Sequence, residues 1–135
     1  MKHFCHLQSL WVGVLACLLL PSAQAAEWMA VGLYEQGTFY IDKESITRTG
    51  SQRKVWTMLD YRQPQKNSQG KSYRSTRSLL AFDCDQQRVQ TQSLSLHAGA
   101  NLRGEVLTSE GVIREWQPVP AQTPIALIMA NVCER

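Results

Sequence analysis

The apolar positions along this chain change period twice. From Leu10 to Leu20 they form an unbroken run, from Trp28 to His97 they fall in short stretches that alternate with polar residues, and near the end Ile125, Ile128, Met129 and Val132 recur at i, i+3, i+4 and i+7. Alternation is the mark of half-buried strands, and the last spacing is one face of a helix. The middle region predicts strands at Trp28–Tyr34 and Thr38–Asp42, joined by a tight turn at Glu35-Gln36-Gly37, and a short third strand before Gly50. The stretch RKVWTMLDYRQ is the strongest strand, rich in β-branched and aromatic residues. Val55, Thr57, Leu59 and Tyr61 share one of its faces, and Trp56, Met58 and Asp60 the other. The polar segment Arg62–Lys71, with Pro64 and Gly70, reads as a long exposed hairpin loop.

The following strand, Ser72 to Asp85, places Leu80, Phe82 and Cys84 on one face and Leu79 and Ala81 on the other. Asp85-Gln86-Gln87 turns into a further strand, Arg88–His97. The stretch from Ala98 to Gly111 is rich in glycine and carries one short strand around Glu105–Thr108. Pro118 and Pro120 exclude regular structure from WQPVPAQ. Thr123 is a good N-cap, and Pro124 sits where proline is favoured, at the first helical position. The predicted helix has only two to three turns, marginal alone, so it needs a sheet to lie on. The order, about six strands and then one helix, reads as α+β: an antiparallel sheet with a C-terminal α-helix packed on one face.

The unbroken run changes the picture of compartment. Lys2, the 11-residue run and Ala23-Gln24-Ala25 fit a secretory signal peptide, residues 1–25, followed by a single domain, residues 26–135. The run falls short of the roughly 20 residues that cross a bilayer, so no transmembrane span is expected after processing. The alternatives are a retained anchor and a lipoprotein cut before Cys17, although Leu18-Leu19-Leu20 carry the apolar run past that cysteine. The domain keeps 13 basic and 11 acidic residues, a charge of +2, and two cysteines, Cys84 and Cys133. Two cysteines in an exported chain read as a disulfide; the alternative is two unrelated buried thiols. If formed, the bond closes a loop of about 50 residues, worth roughly 4 kcal/mol at most. It would tie Cys133, just past the helix, to the strand beneath.

Candidate chemistry is sparse. His97 is the domain's one histidine, too little for nucleophilic catalysis, and no serine lies in a nucleophile elbow. Asp83 and Asp85 flank Cys84 in a spacing that suits a metal or paired carboxylates, but each reads better as a turn aspartate. One histidine and two cysteines do not make a structural zinc site. No catalytic residue, metal or cofactor is expected, and the chain reads as a non-enzyme. One feature stands out: between Arg48 and Arg77 lie eight basic residues and a single acid, Asp60. Pairing of Val55–Tyr61 with Tyr73–Phe82 would gather these charges around the hairpin loop and its outer end. Arg62, Lys66, Lys71, Arg74 and Arg77 are the candidate binding residues, for an acidic glycan or a protein partner. Export disfavours nucleic acid. The alternative is a solvated sheet face with edge-protecting charges.

Tyr40-Ile41-Asp42, Ser45-Ile46, Val55-Trp56, Asp60-Tyr61, Ser72-Tyr73-Arg74-Ser75, Asp83-Cys84, Trp116-Gln117-Pro118-Val119-Pro120 and Val132-Cys133 form, in order and spacing, a pattern that resembles the surface-adhesin protein E family of exported bacterial proteins. The resemblance implies a twisted antiparallel sheet, a C-terminal helix held on it by a disulfide, and a non-enzymatic surface protein. The family's founding member is an outer-membrane lipoprotein that binds host extracellular-matrix and serum proteins and can dimerise. Two readings follow for an exported chain of a Gram-negative-type bacterium. One is a binding module at the outer surface using the basic hairpin; the other is a periplasmic structural or accessory protein, including a homodimer through a sheet edge. A third, a small-ligand carrier, requires a sizeable apolar cavity near Leu80, Phe82 and Ile128.

Overall fold

The computed structural model describes residues 25–111 and 114–134. The expected signal peptide, Cys17 included, lies outside the described residues but for Ala25. One antiparallel sheet organises the chain. Its strands are β1 (Trp28–Leu33), β2 (Gly37–Asp42), β3 (Thr47–Thr49), β4 (Gln52–Lys66), β5 (Ser72–Asp83), β6 (Arg88–His97), β7 (Val106–Gly111) and β8 (Gln117–Pro118). The main path runs β1-β2-β4-β5-β6-β7; β3 adds to one end of β4, and β8 to one end of β6. The helix α1 (Pro124–Cys133) closes the chain.

Local chemistry explains most of these elements. The β3–β4 turn is two residues, Gly50-Ser51, between the paired Thr49 and Gln52. Gly50 has φ 58° there, a conformation that costs glycine nothing. Gly37 begins β2 because its backbone lies against that of Asp60; a Cβ would sit 2.1 Å from the Asp60 carbonyl oxygen. The Thr123 hydroxyl accepts a hydrogen bond from the Ala126 amide at 3.2 Å and donates to the Pro120 carbonyl at 2.7 Å. This is the N-cap that the sequence predicts, with Pro124 in the first turn.

Register assigns the faces. Val55 pairs with Leu80, Thr57 with Ser78 and Leu59 with Thr76, all towards the helix. Ile41, Val55, Leu80, Phe82, Ile128 and Val132 form the buried core, with Ile125, Met129 and Cys133 packed against it. The predicted helical stripe is therefore the face that meets the sheet. Cys84 and Cys133 are joined, Cα to Cα 5.7 Å, across 49 residues of chain. Cys133 is the last helical residue rather than the one beyond it.

Two expectations need correction. Arg62–Lys71 is not a long loop: β4 continues through Lys66, with Gln65 opposite Tyr73 and Lys66 opposite Ser72. A bulge between Asp60 and Gln65 absorbs the extra residues, and Pro64 sits inside it, where no ladder hydrogen bond is asked of its nitrogen. WQPVPAQ is not wholly irregular: Gln117 and Pro118 pair with Val89 and Arg88. The Val119 amide bonds the Gln87 carbonyl, so the edge is held although Pro118 brings no donor. Two short strands, β3 and β8, thus join the six of the main path.

Candidate functional site

The last rung joining β2 to β4 is Gly37–Tyr61, and the last joining β5 to β6 is Ser75–His97. One bond reaches past them, from the Arg62 amide to the Gln36 carbonyl at 3.0 Å; beyond it β4 and β5 run on alone, so residues 62–74 form a two-stranded arm that leaves the sheet at Arg62. This arm carries Arg62, Lys66, Lys71 and Arg74 and no acid. Its tip is built by Asn67, whose side-chain oxygen accepts from the Gln69 and Lys71 amides, both at 2.9 Å, while the Asn67 amide donates to the Lys71 carbonyl. At its base Tyr61 and Tyr73 meet edge to face, 5.7 Å between centroids. Burial, with the neighbouring Tyr73 phenol, raises the pKa of Tyr61 above that of an ordinary tyrosine.

The five candidate binding residues are not equivalent. Arg62, Lys66 and Lys71 are exposed along the arm. Arg74 is half-buried, and its Nε donates to the Tyr61 carbonyl at 3.1 Å, bracing the bulge. Arg77 lies off the arm, inside the sheet, paired with Met58 and Ser95. Its guanidinium carbon is 3.6 Å from the centre of the Trp56 ring, a cation–π contact on the face turned away from the helix. Arg48, Arg53 and Lys54 sit at the far end of β4, roughly 25 Å or more from Arg62 at strand rise. The basic run of the sequence is therefore two groups, with Arg77 apart from both, rather than one cluster. At the second, Arg48 and Arg53 face each other across β3 and β4, and Arg53 spends its guanidinium on the Gly50 and Gln52 carbonyls.

Asp42, Asp60, Asp83 and His97 take structural parts. One Asp83 oxygen accepts from the Asp85 and Gln86 amides, which makes Asp83 the organiser of the β5–β6 turn. Asp42 accepts from the Glu27 and Glu44 amides. His97 shares a 2.9 Å hydrogen bond with the Ser95 hydroxyl. Burial and the nearby Arg77 charge lower its pKa, and the Leu102 backbone opposes them. On the same face Ser75, fully buried, donates to the Gly99 carbonyl and accepts from the Leu102 amide, and the Asn101 amide bonds Asp60. These contacts fold the turn at Ala100–Leu102 over one end of the outer face. The sequence reading missed this strap and the Trp56–Arg77 contact. Neither leaves a periodic signal, because each depends on register across three strands.

The model of the family described as surface-adhesin protein E matches residues 28–134. The chain belongs to that family. Solved structures agree on the fold. Haemophilus influenzae protein E superposes with a TM-score of 0.61 at 13% identity, covering 84% of this chain and 88% of that one. Protein E from non-typeable Haemophilus influenzae gives 0.59 at 13% identity over 84% and 79%. A second crystal form of protein E gives 0.57 at 13% identity over 70% and 79%. Among curated protein sequences none matches. Identity this low carries the fold alone, and the arm's residues must be judged on their own chemistry.

Proposed function

We propose that this chain is an exported, non-enzymatic binding module of the bacterial cell surface, and that the tip of the β4–β5 arm is its contact surface for an anionic or extracellular-matrix partner. The observation that carries the proposal is the arm itself. It leaves the sheet at Arg62, exposes Arg62, Lys66 and Lys71, and carries no acid of its own. A cationic projection of this kind meets an anionic surface before the rest of the domain does, and steers the encounter. Membership of the surface-adhesin family supports display outside the cell. Among the described residues no helix is long and apolar enough to cross a membrane.

Two experiments test it. Protease added to intact cells should remove the oxidised, processed band; a band that survives and fractionates with the periplasm contradicts surface display and supports the accessory role. With purified protein, binding to immobilised heparin or to matrix proteins should weaken as salt rises and fall further when Arg62, Lys66 and Lys71 are all changed to Gln. Binding that ignores both changes removes the arm from the account.

A further inference from the structure

The helix covers only part of its side of the sheet. Ten residues make about 15 Å of helix, whereas β4 is roughly 48 Å long. Under α1, Phe82 and Val132 are sealed, 0% and 1% exposed. Towards the helix start the packing stops, leaving a cavity of about 190 Å³ between helix and sheet. Its apolar walls are Phe39, Leu59 and Leu80 from the sheet and Ile125 and Ile128 from the helix. The remaining lining is a set of hydroxyls: Thr57, Thr76, Ser78 and Thr91. Ile128 is buried and Ile125 half-buried, so the lining runs from the core to the surface.

The lining chemistry is selective. A sheet face meant only to pack a helix carries Val, Ile or Leu at such positions, as Val55 and Leu80 do nearby. Four hydroxyl residues here leave the space open. Thr57 spends its hydroxyl on the Ser78 carbonyl at 3.2 Å. Those of Thr76, Ser78 and Thr91 have no side-chain hydrogen bond to another described residue. No charged side chain lines the space. An ionised ligand would bury its charge without a counterion there, while a neutral polar group finds hydroxyl partners. An engineered cavity of about 150 Å³ accommodates benzene, which sets the scale.

We propose that this cavity binds a small neutral ligand, an apolar ring or chain of about six to eight carbons bearing one hydroxyl or carbonyl group. The apolar part lies against Leu80, Ile125 and Ile128, and the polar group reaches Thr76, Ser78 or Thr91. The site is separate from the arm and does not depend on the surface-binding proposal.

The test is a methyl NMR titration of the oxidised protein with 1-hexanol, and with hexanoate at neutral pH as the charged control. Hexanol should give saturable shifts concentrated at the Leu59, Leu80, Ile125 and Ile128 methyls, and hexanoate should bind at least about tenfold more weakly. Ser78→Leu, which fills the hole, should abolish the hexanol shifts while circular dichroism and the disulfide are kept. Thr76→Leu gives the same reading should Ser78→Leu fail to fold. The proposal is overturned by shifts that never saturate, which describe a cavity holding only water, by hexanoate binding as well as hexanol, or by a folded filled variant that still binds.

Discussion

The two ends of the β4–β5 hairpin are built on opposite plans. At the Gln52/Asp83 end the strands carry Val55, Leu80 and Phe82 under Ile128 and Val132, and the disulfide closes the stack. At the Lys66/Ser72 end the strands have no neighbours, hold polar and basic side chains, and turn on one asparagine. The same two strands thus serve as floor of the core and as free arm. What distinguishes them is whether a third layer lies above. An arm without neighbours buries little apolar surface and contributes little stability, so its sequence is free to serve contact. The pinned end tolerates little change, because stability there depends on packing that every substitution disturbs.

Substitutions should grade along that axis. Phe82→Ala, which empties the centre of the pinned end, should cost about 3–5 kcal/mol in urea denaturation. Removing the disulfide with Cys133→Ser should cost about 2–4 kcal/mol, less than the apolar loss above and without altering the strand ladder. The bond borders an open cleft of about 320 Å³ lined by Gln87, Met129 and Glu134. A small thiol should therefore reduce it in the folded protein, lowering the melting temperature to that of Cys133→Ser. Thr123→Ala should cost about 1 kcal/mol, the loss of one helix cap.

The smallest effect is electrostatic. The His97 pKa is lowered from 6.5 in the folded protein, so the unfolded chain takes up this proton more readily. Its stabilisation is complete above pH 6.5 and is lost as pH falls through the lower, folded value. His97→Gln should flatten that part of a stability–pH profile and leave the rest unchanged.

The pinned end was the legible part of the sequence. Its signals are local or countable: the Ile125–Val132 stripe, the Thr123-Pro124 start and two cysteines in an exported chain. The arm was legible only in composition. Its length depends on where β2 and β6 stop pairing, and the bulge at residues 61–64 turns an apparent loop into strand. The splitting of the basic run has the same origin. Arg53 and Arg62 lie nine residues apart, at opposite ends of the stretch that already reads as a strand, and its extended rise holds them far apart. Arg77 parted from Arg74 because three residues along a strand change the face as well as the position. Cross-strand register is long-range information that periodicity does not carry. The hydroxyls of Thr57, Thr76, Ser78 and Thr91 are visible one by one, yet only register places them around one space.

The most direct test of the contrast between the two ends is amide hydrogen exchange, residue by residue, on the oxidised protein. The account predicts that amides of Leu80–Phe82 and of Ile128–Val132 exchange only on global unfolding, while those of Asn67–Lys71 exchange by small local openings with far lower protection. Equal protection at the arm tip and beneath the helix would contradict it, since the arm would then be part of the core rather than free of it.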